Sequence, residues 1–227
     1  MFVLASDTST KKAHFALLEE ETVRAEVMVN TEKKHGETIV HAIEGLLSMI
    51  KRRIEEVDLF VTTVGPGSFT GIRVGVSALK GLAFALEKPL IGVSTLETLA
   101  MNVPDSFKTV CPMIDAKRDE VYTALYRFNG EAKYPEKTGD ERAVTPAEFL
   151  KDLKGDIVFL GDGAIRYEDL IRKIMPKRSF FLPPCQSDIR AGTAGLLGMH
   201  KFKRGDFIDT ALLKPRYLRP SYAEMKR

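Results

Sequence analysis

The sequence predicts an α/β protein of two lobes with mixed sheets. Three observations carry this. The chain opens on three β-prone runs, at residues 2–6, 13–18 and 22–29, joined by short connections as in an antiparallel meander. Helical and strand-like patterns then alternate to about residue 103. A similar beginning recurs further on: Asp7 and Asp115 each close a strand ahead of a turn and a second strand, and Ala16-Leu17 and Ala124-Leu125 sit at the same offset. A length of 227 residues accommodates two such lobes, expected at 1–103 and 104–227 with the join near 102–108.

After the meander, Ile39, Val40, Ile43, Leu46, Leu47 and Ile50 recur at three and four, so a helix is expected over 36–53. A strand at 59–64 is broken by Gly65-Pro66-Gly67. Ser68 is placed to cap a helix running to Leu86, which Pro89 stops. A strand at 90–93 and a helix from Ser94 to Met101 complete the first lobe. In the second, strands are expected at 109–115, 120–128 and 156–161. The polar stretch with Pro135, Gly139 and Pro146 reads as loop, and 164–174 as helix. A last helix over 190–203 is expected to pack back on the first lobe. The tail carries Lys214, Arg216, Arg219, Lys226 and Arg227 against Glu224, a candidate contact for tRNA.

Composition narrows the function classes. Hydrophobic residues at 44% and charged residues at 29% are the balance of a globular protein. A net charge of +3 is too small for a protein that coats nucleic acid by charge alone. Cys111 and Cys185 form no CxxC and no Cys/His cluster, which leaves neither a disulfide framework nor a zinc site and points to a reducing compartment. There is no signal peptide pattern and no apolar run long enough to span a membrane, so the cytoplasm is expected. His35 and His41 are six apart, the wrong spacing for a metal pair on one helix face.

The most informative run is residues 65–75, Gly-Pro-Gly-Ser-Phe-Thr-Gly-Ile-Arg-Val-Gly. Glycines between a strand and a helix start let backbone amides face an anion, and they equally serve a tight turn. The run lacks the lysine of a Walker loop, and its third glycine falls one position late for a dinucleotide fingerprint. Gly67, Gly71 and Gly75 recur every four residues and leave one helix face nearly bare. Glycine inside a helix costs roughly 1 kcal/mol against alanine. Such a stripe therefore calls for a closely approaching backbone, from within the chain or from a partner. Asp7-Thr8-Ser9-Thr10 reads either as a hydroxyl-rich turn or as a phosphate and metal-water site.

Taken together, Asp7-Thr8-Ser9-Thr10, the 65–75 run, Lys80-Gly81-Leu82-Ala83, Gly92-Val93-Ser94-Thr95-Leu96, Ile114-Asp115-Ala116 before Glu120-Val121-Tyr122, and Pro215-Arg216-Tyr217-Leu218-Arg219 resemble the TsaB (YeaZ) family over nearly the whole chain. The resemblance implies an actin-like ATPase (ASKHA, RNase H-like) fold with a reduced second lobe. It implies a subunit, without catalytic residues or metal of its own, that pairs with and supports a TsaD-type transferase. That enzyme adds the threonylcarbamoyl group to N6 of adenosine 37 in tRNAs reading ANN codons, with a TsaE-type ATPase completing the assembly. The TsaD-type relatives carry Gly-Val-Asn-His-x-x-x-His, whose two histidines bind the metal. Here Thr95 and Leu99 occupy those positions, and neither replaces imidazole. His35 begins a His-Gly-Glu where relatives often show His-Ser-Glu.

The candidate partner-binding residues are His35, Ile39, Ile43 and Leu46 on the first helix, with Ser68, Phe69, Gly71, Arg73 and Gly75 around the second. Asp7, Thr8, Ser9, Thr10 and Gly67 are candidates for phosphate. No cofactor is expected on the chain alone, and ATP or ADP is expected at the interface with the partner. A homodimer is the alternative assembly. An ATPase or phosphotransferase using Asp7, Thr8 and Thr10 is the alternative function, ahead of a metallopeptidase-like protease.

Overall fold

The computed structural model describes residues 1–30, 35–103, 108–128 and 133–219, and the backbone alone of residues 35–38. Phe2–Asp7 forms β1, buried at every position because it takes the middle of a sheet. Lys12–Glu19 (β2) pairs antiparallel on one side, and Thr22–Asn30 (β3) adds the outer edge, which explains why none of its residues is fully buried. His35–Met49 forms α1. Leu59–Thr63 (β4) runs parallel to β1, Phe69–Ala85 forms α2, and Leu90–Val93 (β5) runs parallel to β4. The order is β3-β2-β1-β4-β5. Phe2, Leu4, Phe15, Leu17 and Phe60 on one sheet face share a core with Ile39, Ile43 and Leu46 of α1 and Leu79 and Ala83 of α2. The first helix stops four residues short of the expected 53. Lys51 is left-handed (φ +55), and Arg52 N donates to Leu47 O while Lys51 N donates to Ser48 O, a Schellman closure.

The second compact unit begins at Leu96, within α3 (Thr95–Ala100), and not at residue 104. The reason is packing: Leu96, Leu99, Ala100 and Val103 lie in one core with Val110, Ile114, Val158 and Leu160. Part of the expected join, residues 104–107, lies outside the described residues. Thr109–Lys117 (β6) and Glu120–Thr123 (β7) form a hairpin, followed by Tyr126–Arg127 (β8). The expected single strand at 120–128 is thus two, with Ala124-Leu125 outside the ladder. The polar stretch expected as loop holds Glu136–Lys137 (β9), Arg142–Val144 (β10) and Pro146–Lys151 (α4). Their partners, β8 for β9 and β7 for β10, explain why so little local pattern was needed. Ile157–Leu160 (β11) precedes Asp162–Arg166 (α5) and Glu168–Ile174 (α6), which split the expected helix at Tyr167, and Ser179–Phe181 (β12) closes the sheet. The order is β10-β7-β6-β11-β12, with β8 attached to β6 and β9 to β8.

Residues Arg190–Arg216 return to the first unit. Ala191–Lys203 (α7) covers the sheet face opposite α1 and α2. A Cβ on Gly195 would come 2.5 Å from Leu18, and one on Gly198 2.4 Å from Val61, so the helix backbone lies directly on the strands. Glu26 of β3 caps this helix: its carboxylate accepts from Gly192 N at 2.9 Å and pairs with Arg190 at 2.7 Å. Beyond α7, Thr210 Oγ1 accepts from Leu90 N, Lys80 Nζ donates to Ala211 O, and Arg216 N donates to Val64 O. The unit's outer parallel edge is closed by that segment. No helix among the described residues is long and apolar enough to cross a membrane.

Candidate functional site

The two candidate segments of the first unit meet each other. Strand alternation puts Thr8 on the α2 side of β1 and Asp7 on the α7 side. Ser68 N donates to Ser9 O at 2.7 Å, and Thr8 Oγ1 donates to Gly71 O at 2.7 Å. A Cβ on Gly71 would lie 2.0 Å from Thr8 O, on Gly75 2.2 Å from Thr8 Oγ1, and on Gly67 2.3 Å from Ser9 O. The backbone that the glycine stripe calls for is therefore the β1–β2 turn of the same chain. Gly71 and Gly75 are buried against it.

The same contacts test the turn as a phosphate site. Asp7, Thr8 and Ser9 are buried, and Thr10 Oγ1 is taken up in a local turn with Lys12. The Asp7 Oδ1 atom accepts from Ser9 Oγ at 2.6 Å and from Thr63 Oγ1 at 2.5 Å. Its Oδ2 atom has no hydrogen-bond partner among the described residues. Burial raises the Asp7 pKa, against the opposing hydrogen bonds from Ser9 and Thr63 and the charge of His14 across the strand pair. Thr8 is spent on Gly71, and the loop is packed against the glycines of 67–75.

The partner-binding candidates divide by exposure. Ile39, Ile43 and Leu46 are core residues, since the apolar repeat of α1 faces the sheet. The exposed apolar residues of this layer are Val40 (57% exposed) and Met49 on α1, and Phe84 (82% exposed) on α2. Ser68 caps α2 by accepting from Gly71 N. Phe69 is half-buried under the Arg73 guanidinium, 3.7 Å from its ring centroid, and this pair does reach the surface. The His35 side chain lies outside the described residues.

In the second unit Asp115 is held by structure. Burial alone would push its carboxyl up, but Lys117 and Arg166 outweigh burial and hold it below the ordinary value. These contacts fix a hairpin tip in which Lys117, Arg118 and Asp119 are all left-handed (φ +61, +54 and +58). Arg219 of the tail pairs with Glu120 and donates to Ala116 O at 2.6 Å, so this cation is engaged within the unit. Of the other tail cations, Lys214 and Arg216 belong to the first unit, and Lys226 and Arg227 lie outside the described residues. Burial pushes the Cys111 thiol up to about 12, which leaves it inert. No group of three His, Cys, Asp or Glu able to hold a metal occurs among the described residues. Thr95 is buried, and Leu99 belongs to the core of the second unit.

Sequence reasoning missed the α7 stripe and its Glu26 cap. The stripe carried the same signal as α2, glycines at 192, 195 and 198, whereas the cap joins residues too distant for any local pattern.

The family model described as "TsaD: tRNA N6-adenosine threonylcarbamoyltransferase" matches residues 23–184. The "tRNA threonylcarbamoyladenosine biosynthesis protein TsaB" of Bacillus subtilis is 33% identical across 100% of this chain and 97% of its own length. The solved structure of "YeaZ from Pseudomonas aeruginosa" aligns with a TM-score of 0.81 at 27% identity, covering 96% of this chain and 99% of that one. Component A of (R)-2-hydroxyglutaryl-CoA dehydratase from Acidaminococcus fermentans aligns with a TM-score of 0.53 at 13% identity, over 88% of this chain and 98% of its own, and shares the fold alone. The architecture is the actin-like ATPase fold with mixed sheets.

Proposed function

Because the chain belongs to the TsaB family of tRNA threonylcarbamoyladenosine biosynthesis proteins, we propose that it is a cytoplasmic, non-catalytic partner of a TsaD-type transferase, working with a TsaE-type ATPase on tRNA. One observation carries the non-catalytic part. Thr95 and Leu99 stand where the resemblance aligns the metal-binding histidines of the transferases, and both are buried and bring no imidazole nitrogen to a metal. The closed β1–β2 turn supports a chain that holds no nucleotide alone, with adenine nucleotide assigned to the interface with the transferase.

The pairing surface is the outward face of α1 and α2, around Val40, Phe84 and the Phe69–Arg73 stack. Large exposed apolar side chains on adjacent helices are costly in a lone molecule and useful at an interface. Co-purification with the TsaD-type protein, followed by a modification assay omitting one component at a time, tests the assignment. Val40→Glu and Phe84→Glu should each weaken pairing by roughly tenfold or more while melting like the parent, because each buries a charge in the complex alone. Wild-type pairing by both variants counts against this surface. Full modification with the chain omitted counts against the function.

A further inference from the structure

We propose that the edge of the second sheet formed by β12 and the starts of β6 and β11 is a contact surface for the phosphate backbone of RNA. The inference rests on the tRNA-modification reading above and adds where on this chain the polyanion is met.

The sheet register builds the ledge. Ile157 stands opposite both Thr109 and Ser179, so the residues just before the three parallel strands line up. Thr109 N donates to Asp156 O, and Ile157 N donates to Arg178 O. Lys108 and Arg178 thus flank β11 on its two sides, on the order of 10 Å apart across two strand spacings. Arg127 of β8 joins them, its Nε donating to Thr109 Oγ1 at 3.1 Å.

Charge is concentrated here. Between Asp169 and Asp188 the sequence holds Arg172, Lys173, Lys177 and Arg178 and no acid. Arg172 is occupied by Glu168 and lies over the Phe181 ring. Lys173, Lys177 and Arg178 are exposed and form no ion pair among the described residues. The acids at the ledge are Asp156, before β11, and Glu136 of β9, which stands opposite Arg127. Strand β12 has β11 on one side and no strand among the described residues on the other. On it Phe180 is 37% exposed, with Lys108 Nζ 3.5 Å from its ring centroid.

Cations spaced along an edge, with an aromatic ring among them, suit a polymer of phosphates carrying bases. The cations neutralise the backbone and the ring offers a stacking surface that no particular base sequence is needed to use. An acidic protein segment would use the cations and needs an apolar side chain as well to use the ring, whereas every nucleotide brings both a phosphate and a base.

The test measures binding of an unmodified tRNA transcript to the full chain, alone and with the TsaD-type partner, over a salt series. Lys177→Glu with Arg178→Glu should weaken binding roughly tenfold near 0.1 M salt and flatten the salt slope by about two. Phe180→Ala should weaken it roughly fivefold. Lys51→Glu with Lys88→Glu makes the same charge change in the first unit and should stay within about twofold of the parent. Thermal melts confirm that each variant is folded. Wild-type tRNA affinity in the ledge variant, or a loss no greater than the control's, overturns the proposal. So does loss of polyglutamate binding with tRNA binding retained, which identifies an acidic protein partner. Pairing with the transferase is read separately by co-purification, so failure there counts against the proposed function and leaves the tRNA result standing.

Discussion

A methyl group at Gly71 and one at Gly81 sit nearly three helical turns apart and should have opposite effects. At Gly71 the new carbon meets the Thr8 carbonyl oxygen at 2.0 Å, and that oxygen belongs to a turn held by Ser68 and Thr8 themselves. Gly71→Ala should cost at least about 3 kcal/mol. At Gly81 nothing lies within 4 Å. Gly81→Ala should gain about 0.5–1 kcal/mol through helix propensity and a stiffer unfolded chain. Denaturant unfolding of the two variants decides the matter, and equal effects would remove the internal account of the stripe. Asp7 offers a test by pH. Its pKa is raised, chiefly by burial. A carboxyl raised on folding favours the folded state while protonated, and that contribution is lost as pH rises through the folded pKa. Asp7→Asn removes the titration and keeps an acceptor for Ser9 and Thr63. As pH rises from the ordinary aspartate value of about 4 through the raised folded value, the variant should gain stability on the parent. A difference that does not change with pH contradicts this.

At the scale of elements, α7 depends on a side chain from another strand. Removing the Glu26 carboxylate leaves Gly192 N without its acceptor and the helix start without its negative charge. Glu26→Ala should lower stability by about 1 kcal/mol. Arg190→Ala should cost less than about 0.5 kcal/mol, since Arg190 is the exposed member of the pair. Equal losses in thermal unfolding would mean that the ion pair, and not the cap, is what matters. The legible elements were those whose period is local: the meander, α1, α2 and the buried strands β4, β6 and β11 announce themselves by apolar spacing. The illegible ones, β9 and β10, are two or three residues long and exist because β8 and β7 lie beside them. The same limit governed the site. Spacing revealed that one face of α2 is bare, but Thr8, which fills it, is far away in the chain. The α1 repeat identified a buried face, and reading Ile39, Ile43 and Leu46 as a partner surface confused the core side with the outward side that Val40 marks.

At the scale of the molecule, the first unit is discontinuous: residues Met1–Thr95 and Arg190–Arg216 complete it, and most of the second unit lies between them in sequence. Proximity in sequence had suggested one boundary, whereas packing draws three, after Thr95, after Ile189 and after Arg216. The face that α7 covers includes Ala5, Leu18 and Val61, all buried in the finished protein. Order of synthesis gives this arrangement a consequence in time. When Thr95 leaves the ribosome the five strands of the first sheet are all present, yet one side of that sheet has no cover. At ~5–20 residues per second, α7 follows on the order of ten seconds later. During that wait the nascent chain displays an apolar sheet, which makes this interval the protein's window of greatest need for a chaperone.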